Sequence, residues 1–124
     1  MDIKQIEDVQ NSLTPVARTA TTNGSGVDLS GFHSATVAFV VGTITDGTHT
    51  PSVQESDDNS AFTAVAAADL IGTLAALASS TNQRVGYRGI KRYLRAVTTV
   101  SGATTGGVYA GVVIRGDARK APVA

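Results

Sequence analysis

The chain has 124 residues, 42% hydrophobic and 16% charged, with ten acidic residues balancing ten Lys and Arg. This is enough for one domain with its own core, and the balance excludes an intrinsically disordered chain and a strongly basic nucleic-acid binder. With no cysteine, disulfides, thiolate nucleophiles and zinc–thiolate sites are excluded, and no apolar run approaches the ~20 residues of a membrane helix.

Half of the chain is Ala (18), Thr (16), Val (15) and Gly (13). Thr and Val fit a pleated surface, and Gly serves turns. Aromatics are few (Phe32, Phe39, Phe62, Tyr87, Tyr93 and Tyr109), so the core must use small side chains. Such a core buries less area per residue, which favours support from oligomerisation or a partner. Charge is segregated: residues 1–69 hold nine acids and two bases, residues 70–124 one acid and eight bases. Either the halves pair within one chain, or acidic and basic surfaces meet head to tail between copies.

In chain order, "MDIKQIEDVQ" lacks the basic-then-apolar pattern of a secretory signal, so synthesis in a cytosol is expected. Ile3, Ile6, Val9 and Leu13 carry a weak helical period up to "LTPV", where Pro15 biases Thr14 away from helix. Residues 1–14 are therefore read as an N-terminal arm or short helix, and 15–124 as the folded domain. Short extended runs follow: "VARTATT", "VDLSGF" as an edge-like piece, and "ATVAFVVG" (35–42), the most apolar strand and the expected core centre. Asp46-Gly47 is a hairpin signal. "SVQES" and "FTAVAAADL" flank an acidic turn; "DLIGTLAALASS" reads as a helical turn or a loop. "QRVGYRG", "RYLRAVTTV" and "GVYAGVVIRG" complete the set, the last two joined by "SGATTGG", a loop of the kind that links antiparallel strands. Seven or eight short strands predict an all-β fold, an antiparallel β-sandwich or jelly roll.

The acidic stretch "QESDDNSAF" holds Glu55, Asp57 and Asp58. A calcium loop needs a Gly at its sharp turn and a distal Glu, both missing here. Neighbouring carboxylates on a strand point to opposite faces and make no acid–base dyad. Asp, Asn and Ser suit a tight turn, which predicts a hairpin with Val53, Phe62 and Val65 facing inward. The segment Arg84–Val97 mixes five cations with two tyrosines. Tracking a phosphate backbone is one role, but strand alternation would split the cations between faces, so ion pairing or protein contact is preferred. His33 and His49 have no carboxylate cluster at ligand spacing. No nucleophile elbow or phosphate-binding glycine pattern occurs. No catalytic, cofactor-binding or metal-ligating residue is assigned, and the chain is not expected to be an enzyme.

The segments "VDLSGFHSATVAFVVG", "DGTHTPSVQESDDNSAFTAV" and "YRGIKRYLRAVTTVSGATTGGVYAGVVIRGDARKAP" resemble a family of small tailed-phage and prophage proteins encoded beside the major capsid protein. The resemblance spans about Leu13 to Pro122, with Asn59-Ser60 standing where relatives often have Gly after the acids. It implies a structural virion protein, most specifically a head-decorating or stabilising one. Its partners would be the major capsid protein and further copies of itself, as a dimer or trimer, with no nucleic acid and no membrane. Its place would be the phage head, assembled in the host cytoplasm. A head–tail or tail component and a glycan-binding sandwich are the alternatives; the lack of Trp disfavours the second. "RGD" (115–117) also matches a cell-adhesion tripeptide, a match short enough to recur by chance. The N-terminal arm and the "RGDARKAP" tail are the expected contacts to a neighbour. Deleting Met1–Ser12 should then weaken co-sedimentation with heads while leaving the fold intact.

Overall fold

The computed structural model describes residues 7–118. In it, strands β1 (Asp8–Arg18), β2 (Thr22–Asn23), β3 (Val27–Asp28), β4 (Phe32–Ile44), β5 (Thr48–Ser56), β6 (Thr63–Ala64), β7 (Leu70–Ile71), β8 (Asn82–Tyr87), β9 (Tyr93–Ser101) and β10 (Gly107–Ala118) form two antiparallel sheets. The first sheet runs β1-β10-β4-β8-β7; the second runs β2-β9-β5-β6, with β3 also paired to β9. This is the all-β sandwich expected from the sequence, but with strands of very unequal length. β4 and β10 have 13 and 12 residues, about twice the typical ~5–6. Four others have only two.

Alternation sets the faces. Along β4, Ala35, Val37, Phe39 and Val41 are buried, while Thr36, Ala38 and Val40 point outward. With Leu13, Val85, Tyr109 and Val113 they meet Val53, Leu94 and Ala96 of the opposing sheet. The shortage of bulky residues is met by close approach: a Cβ added at Gly111 would lie 2.9 Å from the Ala96 Cβ and 3.2 Å from Leu13 Cδ1. Nothing larger than hydrogen fits there without moving a sheet.

Three expectations need correction. Residues 8–14 are neither a helix nor a separate arm but the first part of β1, which pairs with β10 from Asp8↔Arg115 to Arg18↔Gly107. The boundary expected between residues 14 and 15 falls inside this strand. Pro15 is tolerated because β1 is an edge strand and its register shifts between Leu13 and Val16, where no ladder N–H is needed. The helical spacing of Val9 and Leu13 is overridden by the pairing partner that β10 offers; Ile3 and Ile6 lie outside the described residues. Secondly, Asp46-Gly47 joins no hairpin, because β4 and β5 belong to different sheets. The loop between β9 and β10 likewise crosses the sandwich rather than linking ladder neighbours. Thirdly, "FTAVAAADL" is not one strand. It contains β6, a 3-10 turn at Ala67–Asp69 and the start of β7, after which a loop lays Leu77 into the core.

β1 is tied across the sandwich as well as along it. The buried Ser12 hydroxyl accepts the Ala96 N–H at 2.8 Å and donates to the Ser25 carbonyl at 2.7 Å. The Ser25 N–H donates to the Ser12 carbonyl at 2.7 Å, and Gly24 N–H to the Ala96 carbonyl at 2.8 Å. Gly24 sits so close that an added Cβ would meet Ser12 Oγ at 2.4 Å. Ser12→Ala strands the buried Ala96 donor and should cost about 1–3 kcal/mol, read as a lower urea midpoint with an unchanged slope. Because Met1–Ser12 includes this bridge and the Asp8–Asn11 pairing, its deletion should lower the unfolding midpoint as well. A truncated protein as stable as the full chain would count against β1 as an integral strand.

Candidate functional surface

The polar groups fall into three places. At one end of the sandwich, the turn after β5 is built by its own side chains. Asp58 Oδ1 accepts the Ser60 and Ala61 N–H groups at 2.9 and 3.0 Å and the Ser56 hydroxyl at 2.9 Å. Ser56 Oγ accepts the Asp58 and Asn59 N–H groups. Asn59 takes φ +60°, the left-handed position where Gly would be easiest and Asn is the next best. These donors, the Ala61 N–H first, hold the Asp58 carboxyl below its usual range. The expected hairpin pairs Gln54↔Ala64 and Glu55↔Thr63. Val53 faces the core and Val65 packs against it. Phe62 does not point inward: it is half-buried with the Arg95 guanidinium 4.0 Å from its ring centroid.

The three carboxylates have separate partners. Asp57 pairs with Lys91 at 2.7 Å, Asp58 closes the turn, and Glu55 accepts the Tyr87 hydroxyl at 2.6 Å. Burial, then this carboxylate, pushes the Tyr87 phenol well up. Among the described residues, no three His, Cys, Asp or Glu converge as metal ligands. The basic segment is divided as alternation requires. Arg84 lies on the outer face of the first sheet, and Arg95 on that of the second, beside Gln54. Lys91 and the bidentate Arg92–Asp28 pair (2.9 and 2.8 Å) anchor the β8–β9 loop. Arg115 binds Asp8 and donates to the Asp28 carbonyl at 2.9 Å, with Phe32 under its guanidinium. Asp8, Asp28 and Asp57 of the acidic half thus meet Arg115, Arg92 and Lys91 of the basic half within one chain. The exposed pairs contribute ~0–1 kcal/mol each. "RGD" lies in β10, not on a displayed loop.

The histidines are kept apart. His33 starts β4 and lines an open cleft of about 420 Å³ with Leu29, Phe32, Tyr87, Lys91 and Arg92. Near the start of β5, His49 is fully buried, its Nδ1 2.9 Å from Tyr109 Oη and its Nε2 3.0 Å from the Asp46 carbonyl oxygen. The Tyr109 hydroxyl is also 3.1 Å from Thr98 Oγ1. Beside this buried chain, Asp46 accepts the Thr104, Thr105 and Gly106 N–H groups, the last at 2.6 Å.

The third feature is a sheet face. Val9, Ile114, Thr36, Gly86 and Ile71 lie side by side across all five strands of the first sheet. The next rows are Asn11, Val112, Ala38 and Arg84, then Ala110, Val40 and Asn82. Val9, Val40, Ile71 and Val108 are 44–57% exposed, and all four lie on this outward face. Arg84 is the one charged residue the described strands place there. The outer face of the second sheet is more polar: Thr50, Ser52, Gln54, Arg95 and Thr99 lie on it, beside Val97, which is buried opposite Ser52. Sequence reading assigned "ATVAFVVG" to the core centre alone. The signal it passed over is that this run and "GVYAGVVI" stay apolar at both parities, the pattern of strands covered on both faces. Ile90, at the tip of the β8–β9 loop, is also 96% exposed.

No protein-family profile and no curated protein matches this chain. Among solved structures, the SPBc2 prophage-derived protein YomS is similar with a TM-score of 0.50 and 18% identity, over 88% of this chain and 95% of that one. A chain in the structure of infectious bursal disease virus, Gx strain, aligns with a TM-score of 0.44 and 9% identity over 89% of this chain. This chain spans about a third (31%) of that one. These likenesses concern the fold.

The Asp46 carboxylate has a testable consequence. Donation by the Gly106, Thr105 and Thr104 N–H groups holds its pKa below the usual value. A carboxyl lowered by folding stabilises above its unfolded pKa and loses that contribution as pH falls through its folded value. Asp46→Asn should therefore lower the urea midpoint at pH 7, and the two proteins should converge as pH drops below about 4. A constant gap down to pH 2 would sink this account of the corner.

Proposed function

We propose that this chain is a structural protein of a tailed-phage virion that decorates and stabilises the head from outside, and that it is not an enzyme. The observation that carries the reading is the division of the surface: polar groups are engaged in holding corners and loops, while one sheet face is left largely apolar across its central strands β10 and β4. A catalytic site would instead collect unpaired titratable groups in a cleft. An assembly subunit needs rigid loops and a broad contact surface. The resemblance of the sequence to phage proteins encoded beside the major capsid protein favours this setting. The end-to-end fold likeness to a prophage-derived protein is consistent with it. The partners on this reading are the major capsid protein and further copies of the chain, with no nucleic acid, no cofactor and no membrane.

Head shells repeat one surface many times, so modest contacts at each copy are multiplied when the bound protein is itself oligomeric. Contacts to the shell are proposed at the β1 edge with the residues preceding it and at the end of β10 with the residues following it. Purified protein mixed with mature, undecorated heads should co-sediment saturably at hundreds of copies per head, on the order of the capsomer number. About a dozen copies would place it at a vertex or the neck instead. Absence of binding would remove the head reading and favour the tail or a glycan ligand.

A further inference from the structure

We infer that the outer face of the β1-β10-β4-β8-β7 sheet is covered in solution by the same face of a second copy, giving a two-fold dimer of sandwiches. The inference goes beyond the decoration reading and does not depend on where the protein acts.

Three features of the face choose this occupant. First, its central strands are uncharged: among the described strands only Arg84, on β8, puts an ionic group on the face, and Arg88 and Asp69 follow at its rim, just beyond the ends of β8 and β7. A surface meant for a strongly acidic or basic partner carries complementary charge. A face that meets itself must avoid like charges at its centre, and here the central strands β10 and β4 present Ala110, Val112, Ala38 and Val40. Secondly, its relief is uneven: Val9, Val40 and Val108 are exposed, while a hollow is lined by Thr36, Ile71, Arg84 and Gly86. Small residues at the middle let two sheets approach to the ~10 Å of ordinary face-to-face packing.

The third feature is area. Five strands at ~4.8 Å spacing, and the residues from Val108 to Ile114 at ~3.4 Å each, give a face of about 500 Å². Two copies would bury about 1,000 Å², the lower limit for a specific interface and the size range of weak, reversible association. An apolar face of this size is also near the limit that monomers leave open. The second sheet shows the contrast within the same molecule, since its outer face is mostly polar and the valine it carries, Val97, is already buried.

The test is sedimentation velocity of the full chain from about 1 to about 200 µM, a range suited to weak, reversible association. The wild type should shift from monomer to dimer over this range. Val40→Lys and Val108→Lys, at positions 49% and 44% exposed, put a charge into the contact. Each should raise the dissociation constant at least about thirty-fold, with circular dichroism and melting temperature unchanged. Thr99→Lys on the opposite sheet should dimerise like the wild type. A wild type that stays monomeric throughout overturns the inference, as does a dimer that survives both lysines or is dispersed by Thr99→Lys. A monomer that binds heads and loses them on Val40→Lys would give this face to the capsid rather than to a second copy. A dimer that fails to bind heads would leave the inference standing and remove the decoration reading.

Discussion

The closeness of the two sheets at Gly111 and Ala96 is the constraint on which the rest of this structure depends. A chain with so little aromatic mass cannot fill a wide sandwich, and a void would forfeit the contacts on its lining. The sheets therefore meet where side chains are smallest, at Gly111 over Ala96 and beside Leu13. Tyr109 and Phe39 occupy the space available elsewhere in the core. The same closeness makes the Ser12 bridge possible, because only there can an edge-strand hydroxyl reach a backbone donor of the opposing sheet. Position on β1 and identity as a small polar residue are both required. One consequence is that the edge strand is structurally committed.

Close sheets also demand disciplined corners. The connections β4–β5 and β9–β10 both cross from one sheet to the other, and Asp46 fastens them together by accepting three backbone donors of the second connection. Directly beneath, His49, Tyr109 and Thr98 form a buried polar chain. Such a chain is tolerable only when satisfied, and a satisfied chain specifies one packing rather than several. The histidine's role here is architectural: both ring nitrogens have partners.

What could be read from the sequence divides along a physical line. Elements decided by local chemistry were legible: the alternation of β4, and the acidic turn whose Asp and Ser side chains satisfy their own backbone. Elements decided by partners far along the chain were not. Residues 8–14 carry a weak helical period, but β10 supplies a ladder that the local pattern does not encode. Asp46-Gly47 makes a tight turn as its chemistry dictates, yet which sheet receives the next strand is a tertiary decision. The hairpin reading of the acidic turn faces Phe62 inward. The side chain lies instead against Arg95, an outward cation whose guanidinium covers the ring face.

The apolar sheet face and the segregated charge answer one question together. Acids crowd the first half of the chain and bases the second, but Asp8, Asp28 and Asp57 find Arg115, Arg92 and Lys91 in the fold. These pairs bind β1 to β10, anchor the β8–β9 loop and tie it to the acidic turn, all around the ends and edges of the sandwich. Charge spent in this way is not available to solvate the broad face, which keeps Val, Ala, Ile and Gly in its place. Exposed edges invite uncontrolled pairing, whereas a face can associate only with something flat and apolar. Placing charge and Pro15 at the β1 edge disfavours strand addition there, and leaves hydrophobic surface on the face instead.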